Sequence, residues 1–396
     1  MTVELRPGRH PVPVSDLDPF EDTVLLDPYP SYRRLRDAGP VVWLRRHETW
    51  ALPRYAEVRH ALRNWAAFSS AAGVGMTPEF NDLPGGILGS DPPEHDRLRR
   101  VLQGQLAPRT LRAVEDQLQA QADDLVDRLV ARSSFDAVRD LAQPYVVTAI
   151  ADLVGLPDEG RSELLANSDA AFNRFGPHNQ RYVTAGPGFS RLVDYVTRVA
   201  VPGRLTPGGK GDEIYRAAEA GTLHPGECPQ MMLVYTWPSM DTTIAAIGHA
   251  IRQLALHPEQ WDQLRHAPEL VPAAFDEALR LDSPVQVLTR VTTQDVDVGD
   301  RTLPAGSRVL VMMGSASRDE RHYQNPDRFD IHRGPADHLA FGHGIHHCVG
   351  AALARLEAQA VLRALARRAN KLVLLDHRPH LNNVVRGLAS LHVRTS

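Results

Sequence analysis

Apolar residues recur at three- and four-residue spacing, with charged residues opposite, over 27–37, 54–64, 92–131, 141–154, 188–200, 228–256, 258–266, 269–281 and 350–369. A chain patterned this way over most of its length buries its stripes by packing helix on helix. β-prone runs are short, at 40–53, 287–313 and 371–396, bounded by Gly, Asp and Pro. The pattern predicts a mainly α fold with a small β part built from both ends of the chain. Length alone suggests two or three domains, but neither a repeat nor a low-complexity linker divides residues 1–396, so a single domain is expected.

Charge narrows the function. With 44 Lys and Arg against 48 Asp and Glu, the formal net charge of −4 argues against nucleic-acid or membrane-surface partners. The N-terminal MTVELRPGRHPVPVSDLDPF lacks a basic flank followed by an apolar run, so neither signal peptide nor anchor is expected, and a cytoplasmic location is. Two cysteines, Cys228 and Cys348, fit a reducing compartment. Loop-like stretches at 69–86, 173–188 and 202–211 interrupt the helical pattern; the first two carry the aromatic, Asn and small residues of a pocket lining.

Four polar constellations stand out. HLAFGHGIHHCVGAALARLEA, residues 338–358, sets Cys348 between glycines at the mouth of a helix. Zinc held by His343, His346, His347 and Cys348 is one reading, but the adjacent His347 and Cys348 crowd a small ion and no second ligand pair follows. The other reading uses the glycines, which let backbone wrap a sulfur, and a helix N-terminus whose free N–H groups favour the thiolate. Glu277 and Arg280 in FDEALRLDSPV share a helical face, as an ion pair requires. His95 and Arg99 in DPPEHDRLRRVL are four apart, suited to gripping one anion. ECPQMMLVYTWPSMDTTIAAIGHAIRQLALHP reads as one helix of about 30 residues whose apolar run is interrupted by Pro238, Asp241, Thr242 and Thr243.

The glycine and cysteine pattern at Phe341, Gly342, Gly344, His346, Cys348 and Gly350 resembles the haem-binding loop of the cytochrome P450 family, and matching motifs run from about residue 25 to the C-terminus. The resemblance implies a single-domain triangular prism of helices around haem b, with Cys348 as axial thiolate and metal ligand and Phe341 over the sulfur. His346, His95, Arg99 and Arg290 become propionate ligands, Glu277, Arg280 and Arg328 a structural network, and Asp241 and Thr242 an acid–alcohol pair that supplies protons. Where the family has a small Ala/Gly-Gly pair this chain has Pro238 and Ser239, so a kink is expected. NRFGPHN, LTPGGKG, FDEALRLDSPVQ, VLVMMGSASRD and VVRGLASL are similar to bacterial soluble members that oxidise or O-demethylate para-substituted benzoates.

That resemblance implies a monooxygenase using O2 and electrons from an external ferredoxin and reductase, docked by arginines such as Arg100, Arg109 and Arg112. The expected substrate is a small aromatic compound. Its pocket is expected to be lined by Val74, Met76, Phe80, Phe172, Phe175, Trp237, Pro238, Val287, Leu288 and Val385, with Asn81, His178, Tyr235 and Ser239 as polar anchors. Two alternatives stay open: unusual chemistry such as aromatic nitration or peroxide-dependent oxidation, as in a biosynthetic pathway, and a non-catalytic haem sensor or carrier.

Overall fold

Nearly every stretch with helical spacing is a helix in the computed structural model, which describes residues 12–82, 86–299, 301–334 and 337–396. The extreme N-terminus and part of the 69–86 loop lie outside the described residues. The helices that position the site are α1 (Tyr55–Arg63), α2 (Glu94–Gln105), α3 (Pro108–Val130), α4 (Gln143–Val154), α5 (Arg161–Asn173), α6 (Cys228–Thr236), α7 (Asp241–Leu256), α8 (Val271–Leu281) and α9 (Ala351–Arg368). Among the described residues no helix is long and apolar enough to cross a membrane.

Packing follows from the stripes. α9 buries Leu353, Val361, Leu362 and Leu365 and lies along α3. Its last turn carries Arg367 and Arg368, which suit the negative end of the helix and pair with Asp123 and Asp127 of α3. α7 is buried nearly all round, from Thr243 to Leu254, and packs on α4, α5, α8 and α9, so it is a core element.

The single helix expected over 228–256 is two helices. Pro238 has no N–H to donate and its ring crowds the carbonyl four residues back, and here the ladder breaks outright between Thr236 and Asp241. A break frees carbonyls, and three hydroxyls satisfy them. Ser168 of α5 donates to Trp237 O (2.8 Å), Thr242 donates to Pro238 O (2.7 Å), and Ser239 donates to Tyr235 O.

The strands are β1 (Val14–Ser15), β2 (Val42–Leu44), β3 (Thr49–Leu52), β4 (Phe68–Ser69), β5 (Ser134–Asp136), β6 (Leu288–Thr292), β7 (Val296–Val298), β8 (Arg301–Leu303), β9 (Arg308–Val311), β10 (Leu372–His380) and β11 (Gly387–Thr395). The main sheet runs β1-β2-β3-β9-β6-β4, with β3 parallel to β9 in the register Trp50↔Val309. The C-terminus does not join it. β10 and β11 form a hairpin whose β11 pairs with β5, and β7 pairs with β8 alone, so the β part expected from both chain ends is divided among three sheets.

Candidate active site

Cys348 is held by a tight loop ahead of α9. Its N–H donates to Phe341 O (2.8 Å), and the turn between them needs left-handed backbone at Gly342 (φ 70°) and Gly344 (φ 72°). Gly344 also lies so close to α1 that a Cβ would meet Leu62 O at 2.5 Å. Burial pushes the Cys348 thiol up, while the Gly350 N–H, Arg99 and Arg355 favour its thiolate. Though deep in the protein, Cys348 keeps open surface; Cys228 is sealed in the apolar core.

Beside it lies a grip for an anion. The His95 and His346 rings meet edge to face at 4.5 Å, and the Nε2 atom of each is buried without a hydrogen-bond partner. Arg290 is 3% exposed and donates through Nη1 to the Thr289 carbonyl (2.7 Å). Burial lowers Arg290 to about 10, and burial with Arg290, His95 and Arg99 pulls His346 down to about 2. His95 Nδ1 is spent on Asp96 (3.0 Å), but the two Nε2 atoms stay buried without a partner beside Arg290, which is costly unless a further polar group is bound among them. The propionates of a haem would fit this donor set.

Asp241 opens α7. Its Oδ2 is hydrogen-bonded to Ser168 Oγ, and burial together with nearby Asp169 raises its carboxyl to about 8, so it holds a proton at neutral pH. One turn on, Ala245 belongs to an apolar cluster with Val74, Phe80, Phe172, Phe175, Val384 and Val385, against which Trp237 and Leu288 pack. Seven of the expected pocket residues thus meet on the Asp241 side of α7.

Residues 213–370 match the cytochrome P450 family model. The chain is 39% identical over 389 residues to cytochrome p450 CYP199A2 of Rhodopseudomonas palustris, covering 97% of this chain and 94% of that one. The chain belongs to the cytochrome P450 family. Cytochrome P450 CREJ in complex with (4-ethylphenyl) dihydrogen phosphate superposes with a TM-score of 0.87 at 26% identity, covering 96% of this chain and 99% of that one. CalO2 gives 0.83 at 31% identity, covering 96% and 98%. This P450 is therefore a haem-thiolate monooxygenase that uses O2 on an organic substrate, with haem b on an axial cysteine thiolate.

Several expected residues of the P450 site stand elsewhere. Tyr235 is no pocket anchor: it is 1% exposed in the main core and donates to Gln105 Oε1 (2.7 Å). Met76 and Val287 sit in a separate cluster with Phe20 and Tyr29. Asn81 is spent bracing the Gly75 backbone (2.9 and 3.0 Å), His178 is exposed beside Tyr182, and the Ser239 hydroxyl is committed to Tyr235 O.

Arg328 does not complete the expected ion network. Glu277 and Arg280 pair as expected (2.7 and 2.9 Å), but Arg328 offers them only its carbonyl, its side chain being 67% exposed. The third arginine is Arg333, whose Nε lies 3.0 and 3.2 Å from the two Glu277 oxygens. Ser168 and Asp169 of the site carry no comparable signal in the sequence. The buried side of α5 includes Asn167, Ser168 and Asn173, so no apolar stripe announced the helix.

Proposed function

We propose that this P450 hydroxylates or O-demethylates a small aromatic substrate with electrons from an external ferredoxin and its reductase, within a single domain spanning residues 1–396. The observation carrying the reading is the aromatic cluster of Phe80, Phe172, Phe175 and Trp237, packed with Ala245 on the face of α7 that begins with Asp241. Such rings give a flat apolar compound area and orientation at little entropic cost. The aryl phosphate in the CREJ structure supports a para-substituted aromatic of this size.

In this reading Cys348 would ligate the haem iron, and His95, Arg99, Arg290 and His346 would hold the propionates. Phe341, with Arg355 4.6 Å from its ring centre, packs beside the cysteine loop. Bound haem supplies the cleavage of dioxygen. Asp241 holds the proton to be delivered. Thr242, whose own proton is committed to Pro238 O, offers lone pairs as an acceptor. Exposed Arg100, Arg109 and Arg112 on α2 and α3 form the donor's docking face.

The break at Pro238 favours a second reading, aromatic oxidation of an unusual kind such as nitration or peroxide use, because it reshapes the backbone beside the acid–alcohol pair. One experiment separates the two. Para-substituted benzoates, phenols and aromatic amino acids are titrated against the oxidised protein by absorbance, then incubated with NADH, ferredoxin and reductase. Hydroxylated or demethylated product supports the main reading. Binding shifts with turnover only on added peroxide or nitric oxide support the second, and no shift with any aromatic refutes the substrate class.

A further inference from the structure

The C-terminal hairpin reaches the acid of α7 from the solvent side. Asp169, the neighbour of Ser168 on α5, accepts from His380 Nε2 of β10 (2.7 Å) and from Asn382 Nδ2 (2.7 Å), and Asn173 Nδ2 lies 3.3 Å from its second oxygen. The side chains of His380 and Asp169 are 42% and 32% exposed, and Asp241 is half-buried behind them. His380, Asn382 and Asn383 also line a cavity of about 10 Å3, room for one water.

We propose that the His380–Asp169 pair sets the proton affinity of Asp241. Asp169 follows directly on Ser168, the hydrogen-bond partner of Asp241, and two neighbouring carboxyl groups at a half-buried site do not readily both ionise. With His380 as imidazolium, Asp169 is compensated and Asp241 is freer to ionise. With His380 neutral, Asp169 is an uncompensated anion and holds the proton on Asp241.

Ser168 registers the change, since it has one proton and two acceptors, Trp237 O and Asp241 Oδ2. When Asp241 is protonated it donates to Ser168, which donates to Trp237 O; when Asp241 ionises, Ser168 turns its proton to the carboxylate. Among the described residues, the charged groups acting on Asp241 are Asp169 from α5 and His380 from β10, while Asp169 and Asp241 act on His380. Their directions agree: Asp169 raises both partners, and His380 lowers Asp241. His380 and Asp169 are thus positioning residues, a role that rests on reading Asp241 as the acid of the site.

The test is an infrared titration of the holoenzyme, following the carboxylic C=O band identified by its loss in Asp241→Asn. Asp169→Asn and His380→Gln keep the shape of the hydrogen-bonded pair while removing its charges. Asp169→Asn lowers the Asp241 midpoint by about one pH unit or more, and His380→Gln raises it. Unchanged midpoints in both overturn the proposal whatever the turnover does. Should Asp169→Asn not fold, His380→Gln decides alone, a rise supporting and no shift overturning. Product formed per NADH, measured over the same pH range, tests the underlying reading separately. Midpoints that move while this ratio's pH profile does not uphold the proposal and remove Asp241 from proton supply.

Discussion

Replacing Arg333 with alanine tests the corrected ion network most directly. Glu277 is 2% exposed and accepts from Arg280 (2.7 and 2.9 Å), the Asp330 N–H (3.0 Å) and Arg333 Nε (3.0 and 3.2 Å). Arg333 also donates to the carbonyls of Gln324 (2.6 Å), Asn325 (3.1 Å) and Arg328 (2.8 Å), so it ties the 324–328 turn to α8. Arg333→Ala leaves Glu277 with Arg280, so no charge is orphaned. What is lost is the charge-assisted contact and part of the bonding to three carbonyls that water recovers, about 3 kcal/mol in all. Arg280→Ala costs more, roughly 3–5 kcal/mol, because its guanidinium is fully buried. Arg328→Ala, whose exposed side chain lies 4.0 Å from Asp330, costs at most about 0.5 kcal/mol. Urea unfolding followed by circular dichroism, with haem absorbance read in parallel, ranks the three. An Arg328 variant as damaged as the Arg333 variant would refute the assignment.

Asp241 has a stability signature. A carboxyl raised from 3.8 to about 8 binds more protons folded than unfolded, so its contribution worsens as pH rises from about 4 to 8. Asp241→Asn removes that slope and gains up to about 4 kcal/mol at pH 7, or about 5 °C in Tm for a chain this long, while impairing product formation; equal Tm profiles against pH would contradict this. Gly344→Ala, which places a Cβ 2.5 Å from Leu62 O at φ 72°, strips haem from the purified protein, whereas Gly342→Ala, with its nearest contact at 3.5 Å, costs only about 1 kcal/mol; the haem-to-protein absorbance ratio reports both. Cys348→Ala abolishes the thiolate band of the reduced carbon monoxide complex and Cys228→Ala leaves it, a reversed result moving the ligand to Cys228.

How far the sequence could be read depended on where periodicity carries information. The amphipathic stripes of α3, α8 and α9 were plain, and so was the Cys348 loop, because its glycines and cysteine are spaced by local geometry. Pro238 was visible as a fault, but its severity was not: apolar residues continue on both sides, and spacing does not say whether three freed carbonyls find hydroxyl partners. Arg328 and Arg333 share one coil segment, where Asn325 takes a left-handed turn (φ 46°) and spacing no longer fixes which side chain points inward. α5 buries polar atoms whose partners, Trp237 O and Asp241, lie some seventy residues away in sequence, beyond any local signal.

The main sheet also has consequences for synthesis of the chain. Thr49 at the start of β3 donates to Arg308 O on β9 across 259 intervening steps of sequence. At about 5–20 residues per second, β3 spends roughly 13–50 s outside the ribosome exit before its parallel neighbour exists. During that interval β3 has its antiparallel neighbour β2 but not the strand that covers its other edge, while α3 through α8 emerge. The nascent chain is therefore most open to edge pairing before residue 311 appears, so ribosome stalling upstream of β9 should aggregate more than stalling after it.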